Sequence, residues 1–299
     1  PLSPFVTDYL YLNCFASKRS ILLENWPKYD SSLVNIEVED AFDKLKEVVS
    51  LANSARMKAQ LKRRWPIKKA MICVSDPKFL SIIGISEILR DQLNVEEYVT
   101  VNISYETTIE KILSLLENQV PIVPSVKLIR KKVAPRVRAN VGRVIQALER
   151  IDVLELLTQL YSSGRYSLLY QGGKIELTPD DLELSYDIDE GYAMSERNNV
   201  MVFITTKRDE GLTAKGLLRD IARNLQQLRK ENGYNPTDIL SSAHVGNLED
   251  EDISILTQLR NELTYLVRVR SVTFSKEPVD MPNSKIIDLD GRKLKISIK

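Results

Sequence analysis

Residues 36–74 read IEVEDAFDKLKEVVSLANSARMKAQLKRRWPIKKAMICV, and this stretch decides the fold that we expect for the chain. Apolar side chains recur in it at spacings of three and four, which predicts a helix with one buried stripe. The stripe consists of Val38, Ala41, Leu45, Val48, Ala52, Ala55 and Ala59. Because the stripe narrows from bulky residues to alanines, the second half of the helix can pack very close to a neighbour.

The same stretch predicts a domain boundary at Arg64-Trp65-Pro66. Pro66 cannot continue a helix, and it biases Trp65 towards an extended backbone. The apolar residues 67–74 then predict a short strand, so a long helix gives way to the first strand of a new domain. Around the boundary the charged side chains are all basic: Arg56, Lys58, Lys62, Arg63 and Arg64.

Length and composition are those of a soluble protein with two or three domains, and we expect it in the cytoplasm. The chain has 299 residues, of which 43% are hydrophobic, and a net charge of +1 that leaves the class of partner open. No apolar run approaches the roughly 18 residues of a membrane span, and no signal-peptide pattern is present, so we expect no membrane partner. Because Pro1 rather than Met opens the sequence, we expect a piece of a longer protein.

Cysteine and histidine content argues against metal and acid–base chemistry. Cys14 and Cys73 form no CxxC pair, so we expect two reduced, mostly buried thiols and no zinc site. The single histidine, His244, falls in a predicted strand and is more typical of a half-buried strand residue than of a catalyst. We therefore predict no catalytic residue and no metal site.

Residues 121–150 carry the sharpest charge feature, with Glu149 as their single acid. The basic residues are Lys127, Arg130, Lys131, Lys132, Arg136, Arg138, Arg143 and Arg150. Prolines predict an extended or looped first half, with a helix from near Arg138. One interpretation is a surface that neutralises nucleic-acid phosphates. The alternative is a helix face paired with the acidic run Asp180, Asp181, Glu183, Asp187, Asp189 and Glu190.

The remaining pattern mixes strands and helices. Residues 66–120 alternate strand, helix, strand and helix, which favours strands in one sheet covered by helices. No Gly-rich phosphate-binding loop follows either strand, so we predict no nucleotide site there. Strands are predicted at 67–74, 98–103, 174–177, 182–188, 200–205, 239–244 and 266–274, helices at 212–232 and 250–262, and a final strand pair at 285–299 around Asp290-Gly291. The predicted class is α+β: a helical segment, residues 1–65, then mixed α/β domains at 66–170 and 171–299.

Four stretches, which follow one another along the chain as they do in the family, resemble isoleucyl-tRNA synthetases of the archaeal and eukaryotic type. Residues 54–72, SARMKAQLKRRWPIKKAMI, resemble the end of their anticodon-binding domain. Residues 20–27, SILLENWP, resemble a Ser-(Val/Ile)-His-Leu-x-x-Trp-Pro motif in which Leu22 replaces the usual His, so no role of that His is carried over. Residues 177–206 and the helix from 210 resemble the C-terminal domain. The agreements in that helix are Arg219, Asp220, Ile221, Arg223, Gln226, Leu228, Arg229 and Lys230.

The resemblance implies the C-terminal, tRNA-binding portion of an isoleucine–tRNA ligase. Its partners would be isoleucine tRNA and the catalytic half of the same chain, with no role for DNA. The parent enzyme would use ATP and Mg, but its His-x-Gly-His and Lys-Met-Ser-Lys-Ser signatures are absent here, so this portion would hold no cofactor and catalyse nothing alone.

Candidate tRNA contacts combine this resemblance with the basic clusters. They are Arg56, Lys58, Lys62, Arg63, Arg64, Trp65, Lys127, Arg130, Lys131, Lys132, Arg219, Arg223 and Lys230. Trp65 is a candidate base-stacking platform, with packing inside the domain junction as its alternative. The alternative function is a structural module that docks on the synthetase core or on partner proteins through the Arg219, Arg223 and Lys230 face, without contacting RNA.

Overall fold

The computed structural model describes residues 3–15, 19–26, 28–82, 84–279, 281–289 and 291–299. They form two compact units, Pro1–Asp40 and Ala41–Lys299. Helices occur together with several β-sheets, which confirms the predicted α+β class. No helix within the described ranges is long and apolar enough to cross a membrane.

The first unit contains helix α1, Pro4–Cys14, and two short 3-10 turns, Ile21–Leu23 and Ser31–Leu33. Asp8 accepts hydrogen bonds from the hydroxyl of Ser20 at 2.7 Å and from a backbone N–H in the first turn. The last residue of the predicted SILLENWP motif, Pro27, lies outside the described residues.

In the stretch that forms α1, the spacing of Phe5, Tyr9, Leu12 and Phe15 predicts a buried aromatic stripe, and this prediction is wrong. Phe5 is 88% exposed and Tyr9 is 68% exposed. Cys14, expected to be buried, is exposed as well. The reason is size, because one helix and two short turns cannot surround an apolar stripe.

Helix α2, Ile36–Lys58, carries the stripe predicted for it, with Ala41, Leu45, Val48, Ala52 and Ala55 buried. The helix was expected to continue to residue 64, and this is wrong. Gln60 adopts a left-handed conformation with φ +56°, and the backbone N–H of Leu61 bonds to the carbonyl of Arg56 at 2.8 Å. This closure ends the helix before the basic run and leaves residues 59–66 as a connecting turn, called here the junction segment.

The first sheet has the strand order β2-β1-β8-β7. Its strands are β1 Ile67–Val74, β2 Val95–Asn102, β7 Tyr192–Arg197 and β8 Val200–Thr205. Helix α3, Ile85–Leu93, joins the parallel strands β1 and β2, so the shared sheet predicted for residues 66–120 is confirmed. Residue 83, expected in this helical stretch, lies outside the described residues. Because β8 pairs with β1, the sheet includes strands from both sides of residue 170, and the three-domain division stays a prediction.

The middle of the chain packs helices against two strand pairs, β3 with β6 and β4 with β5. The elements are α4 Thr108–Glu117, β3 Ile122–Leu128, α5 Arg130–Val137, α6 Val141–Leu148, α7 Val153–Ser163, β4 Tyr166–Tyr170, β5 Gly173–Leu177 and β6 Leu182–Ile188. The helix predicted from near Arg138 corresponds to α6, which follows a 3-10 turn at Arg138–Asn140. The extended or looped first half is wrong for residues 130–137, because they form α5. Val133 and Val137, one helical turn apart, are both buried and stabilise α5 despite Pro135 inside it.

The C-terminal part lays helix α8 against a second sheet of order β10-β9-β12-β11. The elements are α8 Glu210–Glu231, β9 Ala243–Gly246, α9 Asp250–Gln258, α10 Arg260–Val267, β10 Val272–Phe274, β11 Asn283–Leu289 and β12 Arg292–Ile298. The helix predicted at 212–232 and the final strand pair are confirmed, with Asp290 of the predicted turn outside the described residues.

Two predictions in this part are wrong in their bounds. A strand was expected at 266–274, but residues up to Val267 are helical, because Leu263 and Val267 form the buried stripe of α10. Only Val272–Phe274 is a strand. The strand expected at 239–244 is Ala243–Gly246, preceded by an isolated bridge between Leu240 and Val269.

Candidate nucleic-acid interface

The junction segment is held by a buried carboxylate on α8. Asp220 is 1% exposed and accepts hydrogen bonds from the indole Nε1 of Trp65 at 3.0 Å and from Nζ of Lys62 at 3.3 Å. Nε of Arg64 forms an ion pair with the same carboxylate. These three donors on one buried carboxylate fix the junction segment to α8, and the carboxylate neutralises part of the positive charge of the segment.

Arg56 supports the junction segment from the other side. It is 2% exposed, and its guanidinium donates to the carbonyl oxygens of Trp65 at 2.7 Å and Leu93 at 2.8 Å. Burial, with the charges of Arg63 and Arg219 nearby, lowers the pKa of Arg56 to about 10, so the side chain remains protonated at neutral pH. Its donors satisfy backbone carbonyls in the junction segment and at the end of α3, and it offers almost no surface to a ligand.

The three basic residues predicted to form one face of α8 differ in exposure. Arg219 is half-buried, and its Nη1 donates to the side-chain oxygen of Asn94 at 2.5 Å and to the carbonyl of Arg64 at 3.2 Å. Arg223 and Lys230 are exposed, and neither side chain has a hydrogen bond or ion pair to the residues that the structure describes.

Arg63, Arg64 and Arg223 come together in one cleft of about 440 Å³, called here the junction cleft. Asp91, Gln92 and Asn94 complete its lining. Arg63 is exposed and reaches the side-chain oxygen of Gln92 only at 3.5 Å. Arg63 and Arg223 therefore present guanidinium groups to solvent from two different elements.

Trp65 is packed among cationic side chains. Nζ of Lys62 lies 4.4 Å from the ring centroid, and the guanidinium carbon of Arg208 lies 4.1 Å from it. A Cβ added at Gly216 of α8 would meet the indole at 3.3 Å, so the helix approaches the ring closely. The stacking role of Trp65 stays a prediction.

The second basic cluster lies where β3 ends and α5 begins. It comprises Lys127, Arg130, Lys131 and Lys132, called here the β3–α5 patch. All four are exposed, and no side chain among them has a hydrogen bond or ion pair within the described ranges. Three of them occupy the first turn of α5, where the helix dipole disfavours positive charge. This cluster is therefore unfavourable for the fold and available to an anionic partner.

The acidic run pairs with the basic segment at one place in the described structure. Arg136 and Asp181 form an ion pair at 2.5 Å. Burial would raise the pKa of Asp181, but hydrogen bonds from Thr178 and Arg136 outweigh it and lower that pKa. Lys127 faces Glu183 across the β3–β6 ladder without an ion pair. Internal pairing thus involves Arg136 and leaves the β3–α5 patch exposed.

Asp220 is the residue whose importance sequence reasoning missed. It was noted as a point of family resemblance, but nothing local shows that it receives Lys62, Arg64 and Trp65. The sequence feature that could have identified Asp220 is its position as the one acid beside Arg219 and Arg223 on the same helix.

Lys58 is exposed, and its Nζ donates a hydrogen bond to the carbonyl of Met194 on β7 at 2.9 Å. No group of His, Cys, Asp and Glu side chains in the described ranges is arranged to hold a metal ion.

Comparison with known proteins gives concordant results. Residues 1–72 match the family model of the anticodon-binding domain of tRNA ligase. An isoleucine–tRNA ligase of Thermoplasma acidophilum is 26% identical over 100% of this chain and 26% of its own length. That of Thermoplasma volcanium is 28% identical over 80% of this chain and 21% of its own, and that of Clostridium tetani is 23% identical over 100% and 27%. The chain thus spans about a quarter of the length of these curated relatives, and the predicted resemblance is confirmed.

Proposed function

We propose that this chain, which is similar along its whole length to isoleucine–tRNA ligases, is the tRNA-binding portion of such an enzyme. It would bind isoleucine tRNA on the anticodon side, in the cytoplasm. Residues outside this chain would activate isoleucine with ATP and transfer it to the tRNA. The observation that carries the proposal is the exposed β3–α5 patch, whose side chains have no ion pair to any residue that the structure describes.

The patch has the properties of a phosphate-binding surface. Its four cationic side chains make no internal ion pair within the described ranges, so a phosphate contact would not have to break one. Each contact releases condensed counterions from the RNA, which makes binding favourable at low salt and weaker as salt rises. Contacts of this kind position the RNA without reading its sequence.

The junction cleft is the second proposed contact. Arg63 and Arg223 are exposed, and arginine binds phosphate with two parallel hydrogen bonds. Arg64 contributes less, since its Nε is paired with Asp220. Arg56 is left out of the proposed surface because it is 2% exposed. Lys58, Lys62, Trp65, Arg219 and Lys230 stay candidate contacts from the sequence.

A docking role is the second candidate function, and one observation favours it. Lys62, Arg64 and Arg219 make contacts inside the protein, so part of the predicted basic surface serves the packing of α8 against the junction segment. In this case α8 and its sheet would be a structural module, and RNA contact would be confined to the β3–α5 patch or absent.

Charge reversal in the patch tests the proposal. Lys131→Glu with Lys132→Glu should weaken binding of an isoleucine tRNA transcript at least about tenfold and make the salt slope shallower by about two, because two phosphate contacts are lost. The matched control is Lys44→Glu with Lys78→Glu, which changes two exposed lysines and the net charge equally. Equal loss of affinity in both double variants would overturn the assignment of the patch.

A further inference from the structure

An exposed tyrosine marks a second candidate contact far along the chain from the basic clusters. Tyr265 on α10 is 82% exposed, and Ile239 beside it is 66% exposed. They line a cleft of about 380 Å³ with Asn261, Thr264, Arg268 and Val269, called here the Tyr265 cleft. Neither exposed side chain is among those packed in the C-terminal core, so the fold does not explain them.

Two exposed arginines, Arg268 and Arg270, flank the buried Val269 of this cleft in the sequence. Leu240 and Val269 pair in an isolated parallel bridge, and both are buried. Their sequence neighbours Ile239, Arg268 and Arg270 are all exposed, and Arg268 ends α10 in a left-handed conformation with φ +53°. Neither arginine side chain has a hydrogen bond or ion pair to another described residue.

We propose that the Tyr265 cleft binds one unstacked nucleotide of the tRNA. The base would lie on the Tyr265 ring and against Ile239, the amide of Asn261 can donate to and accept from a base edge, and Arg268 and Arg270 would contact the flanking phosphates. An unpaired nucleotide fits these groups because aromatic side chains with nearby arginines are the common platform for single-stranded RNA. The inference rests on the proposed function and adds a base contact to its phosphate contacts.

The charges around the cleft support an anionic ligand. Arg268 is the charged residue of the lining, and Arg270 follows two residues later in the chain and is exposed. Glu262 is exposed on the same helix but does not line the cleft. A phosphate of the ligand would therefore meet the guanidinium group of Arg268, which has no ion pair to another described residue, with that of Arg270 close to it in the chain.

Three variants with different expected effects test the site in the 299-residue chain. Tyr265→Ala should weaken binding of an isoleucine tRNA transcript about 5- to 100-fold without changing its salt slope, because stacking is lost and no charge is removed. Tyr265→Phe keeps the ring and should bind as the wild type does. Arg268→Gln should make the salt slope shallower by about one.

A fully paired RNA duplex of matched length is the control ligand. Tyr265→Ala should leave its binding unchanged, since it offers no splayed base. Unchanged tRNA affinity in Tyr265→Ala, with Lys131→Glu/Lys132→Glu still weakened, overturns the Tyr265 site and leaves the proposed function standing. This outcome would also be expected if the cleft docks a protein. Failure of the wild-type chain to bind tRNA at low salt overturns both.

Discussion

A single buried carboxylate determines which basic side chains of the junction segment are paired inside the protein and which one is exposed. Asp220 accepts from Lys62, Arg64 and Trp65, while Arg63, between two of them in sequence, remains exposed in the junction cleft. The basic run therefore has a structural role, and we propose an RNA-binding role beside it. Its inward side chains hold α8, and its outward side chain is available to an RNA phosphate.

Removing this carboxylate should destabilise the protein. Asp220→Ala leaves two cationic groups and an indole N–H without their acceptor, and breaking a buried ion pair in this way costs about 3–5 kcal/mol. Because Lys62 and Arg64 are about one-third exposed, we expect a value near the lower end of that range. Urea unfolding measures it, with Asp91→Asn as the exposed control. Equal midpoints for the two variants would contradict this role of Asp220.

His244 should titrate below its usual range. Its Nδ1 lies 2.9 Å from the hydroxyl of Thr273 and its Nε2 lies 3.0 Å from that of Ser275. Burial lowers the pKa of His244, and the charge of Lys295 adds to this against an opposing bond to the backbone of Glu277.

As the pH falls, the unfolded chain therefore binds its proton first, at about 6.5. This contribution to stability is complete above that pH and is lost progressively from there down to the folded pKa. Since the chain has one histidine, a single imidazole NMR signal reports the value. A midpoint at or above 6.5 would contradict the prediction.

The two thiols should differ strongly in reactivity. Cys73 is 0% exposed in β1, and burial raises its pKa to about 12, whereas Cys14 is exposed. Because the thiolate is the reactive form, a thiol reagent at neutral pH should label Cys14 quickly and Cys73 only after denaturation. Labelling of the native protein followed by peptide mass analysis measures this, and Cys14→Ser is the control. Fast labelling of Cys73 in that variant would contradict the buried position.

At the scale of elements, the second sheet depends on a close backbone approach at β9. A Cβ added at Gly246 would lie 2.6 Å from Cα of Pro278, and backbone cannot move aside as a flexible side chain can. Gly142, in the first turn of α6, has open space around it and an ordinary φ. A side chain therefore cannot be accommodated at Gly246 without a backbone shift, whereas it can be at Gly142.

Alanine substitution at these glycines should give opposite signs. Gly246→Ala should lower the free energy of unfolding by about 1–3 kcal/mol through overpacking. Gly142→Ala should raise it by up to about 1 kcal/mol, because alanine favours the helix. Urea midpoints of both variants give the comparison. A neutral Gly246→Ala would show that the segment over β9 is not closely packed.

Elements with strong periodicity could be predicted from sequence, and those defined by tertiary contacts could not. The helix at 212–232 was found nearly to the residue because its buried stripe has helical spacing over many turns. Residues 266–274 were assigned to a strand from their valines, yet Val267 packs as part of α10. Short β-branched runs are ambiguous until a neighbour shows which face is buried.

At the scale of the whole molecule, a net charge near zero does not show where positive charge is concentrated on the surface. The net charge is only +1, yet the β3–α5 patch places four exposed cations without internal partners on one stretch of the described structure. The sequence shows that this segment is basic. Only the structure shows that, among the described residues, it pairs with the acidic run through Arg136 and Asp181. Likewise, the pairing of β1 with β8 joins residues distant in sequence, which no local pattern contains.

The most direct test is binding of this chain to isoleucine and valine tRNA transcripts across a salt series. With about four to six phosphate contacts, we predict preference for isoleucine tRNA and a plot of log affinity against log salt with a slope of about −3 to −5. Absence of binding at low salt, or binding that does not depend on salt, would contradict the account.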